Sequence, residues 1–161
     1  MALVIEDGTG LADAEVYDTS ADASAWLVKE NPQSTFAALE FAAQDRSLLK
    51  ATRLAEGGIR RRFRGRPVTP GQGLLFPALL AIGQDGAMFD WDERPAKYRQ
   101  GIFLLAEYAA DGTLMARSSH ASIASHSGKR QSIAYRPGAD LTTIAANHPD
   151  AWDLLRTALP P

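Results

Sequence analysis

Tyr98, Ile102, Leu105, Ala106 and Ala109 recur three and four residues apart. That repeat places apolar side chains along one face of an α-helix. A stripe of this width has to be covered, so the rest of the chain must supply other elements that pack on it. The helix is predicted over about 95–110. Pro95 suits the first helical turn, Asp92 and Glu93 sit toward the positive end of the helix dipole, and Asp111-Gly112 closes the segment. A second stripe, Leu48, Ala51, Thr52 and Ala55, belongs to a helix predicted over about 35–56 and stopped by Gly57-Gly58. Ser20 reads as the N-cap of a further helix over about 21–30, carrying Ala23, Trp26 and Leu27 and ended by Asn31-Pro32. A last short helix over about 150–159 carries Trp152, Leu155 and Leu159 along one side and runs into Pro160-Pro161.

Between these helices the punctuation changes. Leu3 to Ile5 is a short β-type run, and Glu6-Asp-Gly-Thr-Gly10 reads as a turn. Pro67, Pro70, Gly71 and Gly73 mark a loop over 67–73. Leu74-Leu75-Phe76-Pro77 reads as a buried patch, and Gln84-Asp85-Gly86 as a turn. Residues 118–136 are different again. Ser119 to Ser127 is small, polar and weakly alternating, Gly128-Lys129 interrupts it, and Ile133 and Tyr135 share a face after Arg130. This is the pattern of a β-hairpin arm, comprising Ile123, Lys129, Arg130, Ile133 and Tyr135, with little apolar surface of its own to bury. The expected fold is mainly α: a small helical bundle with a β-hairpin arm and a short C-terminal helix. A length of 161 residues favours a single domain over 1–161, with a helical core over about 14–112.

The search for chemistry excludes more than it finds. The chain has no cysteine, which removes disulfides and thiolate catalysis. No Gly-x-Ser-x-Gly elbow occurs. His120, His126 and His148 are scattered without a carboxylate run, a poor metal donor set. Asp90, Asp92 and Glu93 are read as helix-start charges. Gly8-Thr9-Gly10 is followed by no lysine, so it is read as a turn and not a phosphate cradle. No catalytic residue, metal or cofactor is expected, and the chain is not expected to be an enzyme. The N-terminus lacks a basic region followed by a long apolar run, and no apolar run is long enough to span a bilayer. A protein made in a cytoplasm, with no membrane partner, is expected.

Two segments carry candidate contacts. Arg60, Arg61, Arg62, Arg64 and Arg66 are five arginines in seven residues, with Phe63 between them, in a chain of net charge −2. Guanidinium groups pair with phosphate or carboxylate. The segment therefore reads as a nucleic-acid contact with Phe63 stacking on a base, as an ion-pairing contact to a partner subunit, or as a solvated loop. The C-terminal helix, with Trp152, Leu155 and Leu159, either caps its own core or docks into another protein.

Several short motifs together resemble a known family. They are Ala2-Leu-Val-Ile-Glu-Asp-Gly-Thr-Gly-Leu-Ala-Asp-Ala-Glu15, Leu49-Lys50-Ala51-Thr52, Phe63-Arg64-Gly65-Arg66 with Val68, and Gln72, Leu74, Phe76 and Pro77. Asp85-Gly86, Pro95 leading into an apolar helix, the basic segment near Lys129 and the short apolar C-terminus also fit. The set resembles tailed-phage head–tail connector (adaptor) proteins, often labelled DnaT-like single-stranded-DNA-binding. Phe76 stands where that family usually has tryptophan, Ala78 where arginine often follows the proline, and the stretch around Ala124 is unusually serine-rich. The resemblance implies a virion structural protein at the head–tail junction, synthesised in a bacterial host. It implies a ring of twelve copies under the portal protein that continues the DNA channel and receives a tail, stopper or terminator protein. Contact with packaged double-stranded DNA and an absence of catalytic residues are implied too. The label implies single-stranded DNA binding instead. In the ring reading, the hairpin and the terminal helix are expected to make mostly inter-chain contacts.

Overall fold

In a computed structural model, the described residues are 3–60, 62–114, 123–127, 132–135, 144 and 147–160, with the backbone alone described for 123–127 and 132–135. The fold is mainly helical, as expected. Helix α1 spans Ser20–Glu30, α2 Thr35–Ala38, α3 Phe41–Ile59, α4 Ala96–Ala110 and α5 Pro149–Leu155, followed by a 3₁₀ turn over Arg156–Ala158. Strands β1 (Arg66–Pro67) and β2 (Ala78–Leu79) form one antiparallel pair, and β3 (Ile123–Ser127) and β4 (Ser132–Tyr135) form another.

The boundaries differ from expectation where local chemistry decides them. Thr19, not Ser20, is the N-cap of α1, its hydroxyl accepting from the Asp22 amide. The segment read as one helix over 35–56 is two. Leu39 and Glu40 adopt extended backbone, ending α2 and starting α3. Gln44 fixes this corner by donating from Nε2 to the Phe36 and Ala37 carbonyls. Gly57 and Gly58 do not stop α3, which continues to Ile59. Ile59 is fully buried and Gly58 is buried as well, so packing overrides the glycine preference for an end. Helix α4 begins at Ala96 with Pro95 as N-cap, and no acid lies in its first turn. Asp92 and Glu93 sit in the turn before it, exposed.

The core forms where α3 packs on α4 and α4 on α5. Of the α4 stripe, Tyr98, Ile102, Leu105 and Ala106 are buried. Leu48, Ala51 and Ala55 of α3 are buried too, as is the Leu74–Phe76 patch. Gly101 lets α5 approach α4 closely: a Cβ there would lie 2.8 Å from Leu155 Cγ. Ala151, Leu155, Ala158 and Leu159 are buried in the chain's own core, and Trp152 packs partly buried against it. The terminal helix thus caps its own bundle. The expectation of mostly inter-chain contacts is corrected for this element, because α4 already covers its apolar side.

The hairpin pairs Ile123 with Tyr135, His126 with Ile133 and Ser127 with Ser132, with an irregularity between Ile123 and Ser125. It is a two-stranded sheet of its own. Lys129 and Arg130 lie outside the described residues.

Candidate interaction surface

Two buried carboxylates set the frame of the surface. Glu6 is fully buried, and its Oε1 accepts from the amides of Gly8 at 3.0 Å and Gly10 at 2.9 Å, its Oε2 from Leu11 at 3.0 Å. Successive amides converging on one anion form a nest. The glycine-rich turn is therefore an anion site filled by the chain's own side chain, which agrees with the reading of a turn. Gly10 sits at φ +78°, where a side chain would be strained. Arg94 Nη1 donates to the carbonyls of Glu6 and Tyr17, tying this loop to the entrance of α4.

Glu56, on α3, is the second. Its Oε1 accepts from the hydroxyls of Tyr17 at 2.5 Å and Tyr98 at 3.0 Å, and its Oε2 from the Leu75 amide at 3.0 Å. Arg60 Nη2 lies 3.3 Å from the same Oε2 and 3.3 Å from the Gly73 carbonyl. The Tyr17 hydroxyl in turn accepts from the Phe76 amide at 3.1 Å. One carboxylate so joins the N-terminal loop, α3, α4 and the 74–76 segment. Burial pushes the Glu56 carboxyl above its usual range, against the opposing pull of the two tyrosine hydroxyls and Arg60. Burial, with the Glu56 charge next, pushes both tyrosines well above theirs.

Arg60 therefore reaches the buried Glu56 carboxylate from the surface, with more than half of its own side chain exposed. Arg62, Arg64 and Arg66 are exposed, and Arg61 lies outside the described residues. Phe63 points inward. Its ring centroid is 5.0 Å from that of Phe76, which lies 5.7 Å from Phe89 and 5.3 Å from Tyr98. A Cβ on Gly65 would come within 2.6 Å of the Phe63 ring and 3.1 Å of Ala78 Cβ. The Phe-Arg-Gly-Arg motif is thus the geometry that seats this ring and lets β1 meet β2, Arg66 opposite Leu79. Gln72 braces the loop behind it, accepting from the Val68 amide and donating to the Leu74 and Pro77 carbonyls.

Beyond β2 the chain runs out to the surface with its apolar residues uncovered. Leu80 is 59% exposed, Met88 62% and Trp91 59%, with Leu79 and Ile82 at 40%. An Ile82–Met88 bridge and a 2.9 Å bond from the Phe89 amide to the Ala81 carbonyl hold the segment together. Exposed large apolar residues gathered on one short segment mark a contact surface more often than isolated ones do. Asp90, Asp92 and Glu93 are exposed beside Trp91. Among the described residues the ion pairs are Arg60–Glu56, Arg99–Asp18 and Arg156–Asp153, so none of these three acids nor Arg62, Arg64 or Arg66 is paired.

No group of three histidines, cysteines, aspartates or glutamates among the described residues could hold a metal. His148 is buried at the start of α5, with its ring stacked 4.2 Å from Tyr108 and Nε2 3.2 Å from the Leu114 carbonyl. Among the described residues its Nδ1 has no partner. His126 lies in β3, and His120 lies outside the described residues. No described helix is long and apolar enough to cross a membrane.

A family model described as "Putative DnaT-like ssDNA binding protein" matches residues 1–159. The chain belongs to that family. No curated protein and no solved structure matches it. Several of the short motifs singled out in the sequence do internal structural work: Glu6 with its nest, Gly65 under Phe63, and Gln72 bracing the loop. Sequence reasoning missed Glu6, Glu56, Arg94 and Gln72 as clamps and Leu80, Met88 and Trp91 as surface. Glu56 left a trace, since it falls four residues after Thr52 and continues the apolar stripe of α3.

Proposed function

We propose that this chain is a non-enzymatic structural subunit of a tailed-phage head–tail connector. Copies close into a ring of twelve between the portal protein and the next tail or neck component, at the head–tail junction of the virion. The observation that carries this reading is the β3–β4 hairpin, which forms a two-stranded sheet by itself. A lone two-stranded hairpin is marginal in water and gains stability by packing on something else. Adjacent copies in a ring supply that surface. The apolar residues uncovered on 79–91 support the same conclusion. The motif likeness supplies the phage assignment. The test is the native mass of the full chain, alone and mixed with portal protein. Ring-sized assemblies are expected in at least one condition, and a monomer in both sinks the reading.

The family description and the three exposed arginines favour a second reading, single-stranded DNA binding. The seating of Phe63 against Phe76 weighs against it, because the ring is partly buried and held in an edge contact with a core aromatic instead of standing free to stack on a base. Titration of a labelled oligonucleotide at two salt concentrations separates the readings. Affinity that falls steeply with salt and disappears when Arg62, Arg64 and Arg66 are replaced would favour DNA.

A further inference from the structure

The charges around the 79–91 segment lie in two groups of opposite sign, neither ion-paired among the described residues. Arg64 precedes β1 and Arg66 opens it, facing Leu79 across the β1–β2 pair. Asp90 and Asp92 flank Trp91. Both groups rest on one aromatic stack, since Phe63 beside the arginines and Phe89 beside the acids each pack on Phe76. Leu80 and Met88 lie exposed between the two groups in the chain, and Trp91 lies exposed within the acidic one.

This composition selects among partners. A nucleic-acid backbone attracted by the arginines would bring its phosphates toward Asp90 and Asp92, and like charges repel. A uniformly acidic protein meets the same obstacle. A second copy of this chain does not, because it offers acids for the arginines and arginines for the acids, with apolar residues to cover apolar ones. Resting on the connector reading, we propose that this surface is a contact between copies. Arg64 and Arg66 of one copy pair with Asp90 and Asp92 of the next, around Leu80, Met88 and Trp91. In this arrangement the joint is charge-matched and its apolar centre is excluded from water on assembly.

The test is a charge swap on the full chain. Arg64→Glu with Arg66→Glu makes one variant, and Asp90→Lys with Asp92→Lys makes the other. All four positions are exposed, so both variants are expected to fold, which thermal melts check. Each variant alone is expected to self-associate at least about tenfold more weakly than the wild type at low salt. An equimolar mixture is expected to assemble again, with the two variants in equal proportion by native mass spectrometry. Rescue by mixing is the result a merely structural role for these residues would not give. If each variant assembles alone as the wild type does, the surface is wrong while the connector reading stands. If the wild type never assembles, with or without portal protein, both fail. If Arg64→Glu with Arg66→Glu leaves assembly intact but abolishes oligonucleotide binding, the surface belongs to nucleic acid and the proposal is overturned.

Discussion

The junction around Glu56 and the edge around Trp91 use the same residue types in opposite ways. At the junction a carboxylate is buried, and hydroxyls, an amide and a guanidinium surround it. At the edge, carboxylates and guanidinium groups stand in water without partners among the described residues, and a tryptophan lies more than half exposed beside them. Burial makes the difference. A buried charge without partners costs several kcal/mol, so the interior satisfies each such group, whereas an exposed charge is hydrated and can stay unpaired until another surface meets it. The junction is therefore specialised for holding one fold, whereas the edge leaves its charges and large apolar side chains exposed.

The sharpest way to break this contrast is Glu56→Leu. Two tyrosine hydroxyls and the Leu75 amide would lose their acceptor, at a cost of about 3–5 kcal/mol. Urea denaturation should show the midpoint falling accordingly. A loss under about 1 kcal/mol would mean that the network is not the joint described here. Glu6→Ala comes next. It strips three amides of their acceptor, and about 2–3 kcal/mol is expected by the same measurement. Hydrogen exchange of the Gly8, Gly10 and Leu11 amides should accelerate with it.

The helices were legible because periodicity survives in the sequence. Tyr98, Ile102, Leu105 and Ala106 announced α4, and the structure buries them. The hairpin was legible from alternation and the glycine between its arms. What escaped was long-range. Glu6 looks like one acid in an acidic turn until its backbone folds round it, and Glu107 looks like a surface charge until the Ser34 hydroxyl and the Thr35 and Phe36 amides reach it from α2. The arginine cluster was visible, but the roles within it were not. Arg60 reaches back to Glu56, one turn earlier, because α3 runs on through Gly57 and Gly58 to Ile59, and Phe63 is taken by Phe76. The exposed apolar edge was hidden because Leu80, Met88 and Trp91 carry no periodicity that distinguishes them from core.

A pH titration sharpens the account of the junction. Burial raises the Glu56 carboxyl above its unfolded value of 4.5, so the folded state favours the protonated form. The resulting contribution to stability is fully present below the unfolded value and is lost as pH rises through the folded one. Asp18 is raised by burial as well, so wild type alone would not isolate the effect. Comparison with Glu56→Gln does. The stability advantage of wild type over that variant should be largest near the acid end and narrow as pH rises. An advantage that widens with pH would mean that hydrogen bonds to the carboxylate outweigh its desolvation.

The smallest effect is expected where the contrast is most easily mistaken. Replacing Arg64 and Arg66 together by alanine should move the monomer's stability by no more than about 0.5 kcal/mol, because both side chains are exposed and neither is ion-paired among the described residues. Calorimetry of the dilute protein checks this. A loss of several kcal/mol would place these arginines in the fold itself and dissolve the distinction between junction and edge. A near-zero change, paired with weaker self-association at low salt, is what the distinction requires. The arginines would then be idle in the single chain and engaged only across a boundary, while Arg60 remains tied within the chain to the buried carboxylate of Glu56.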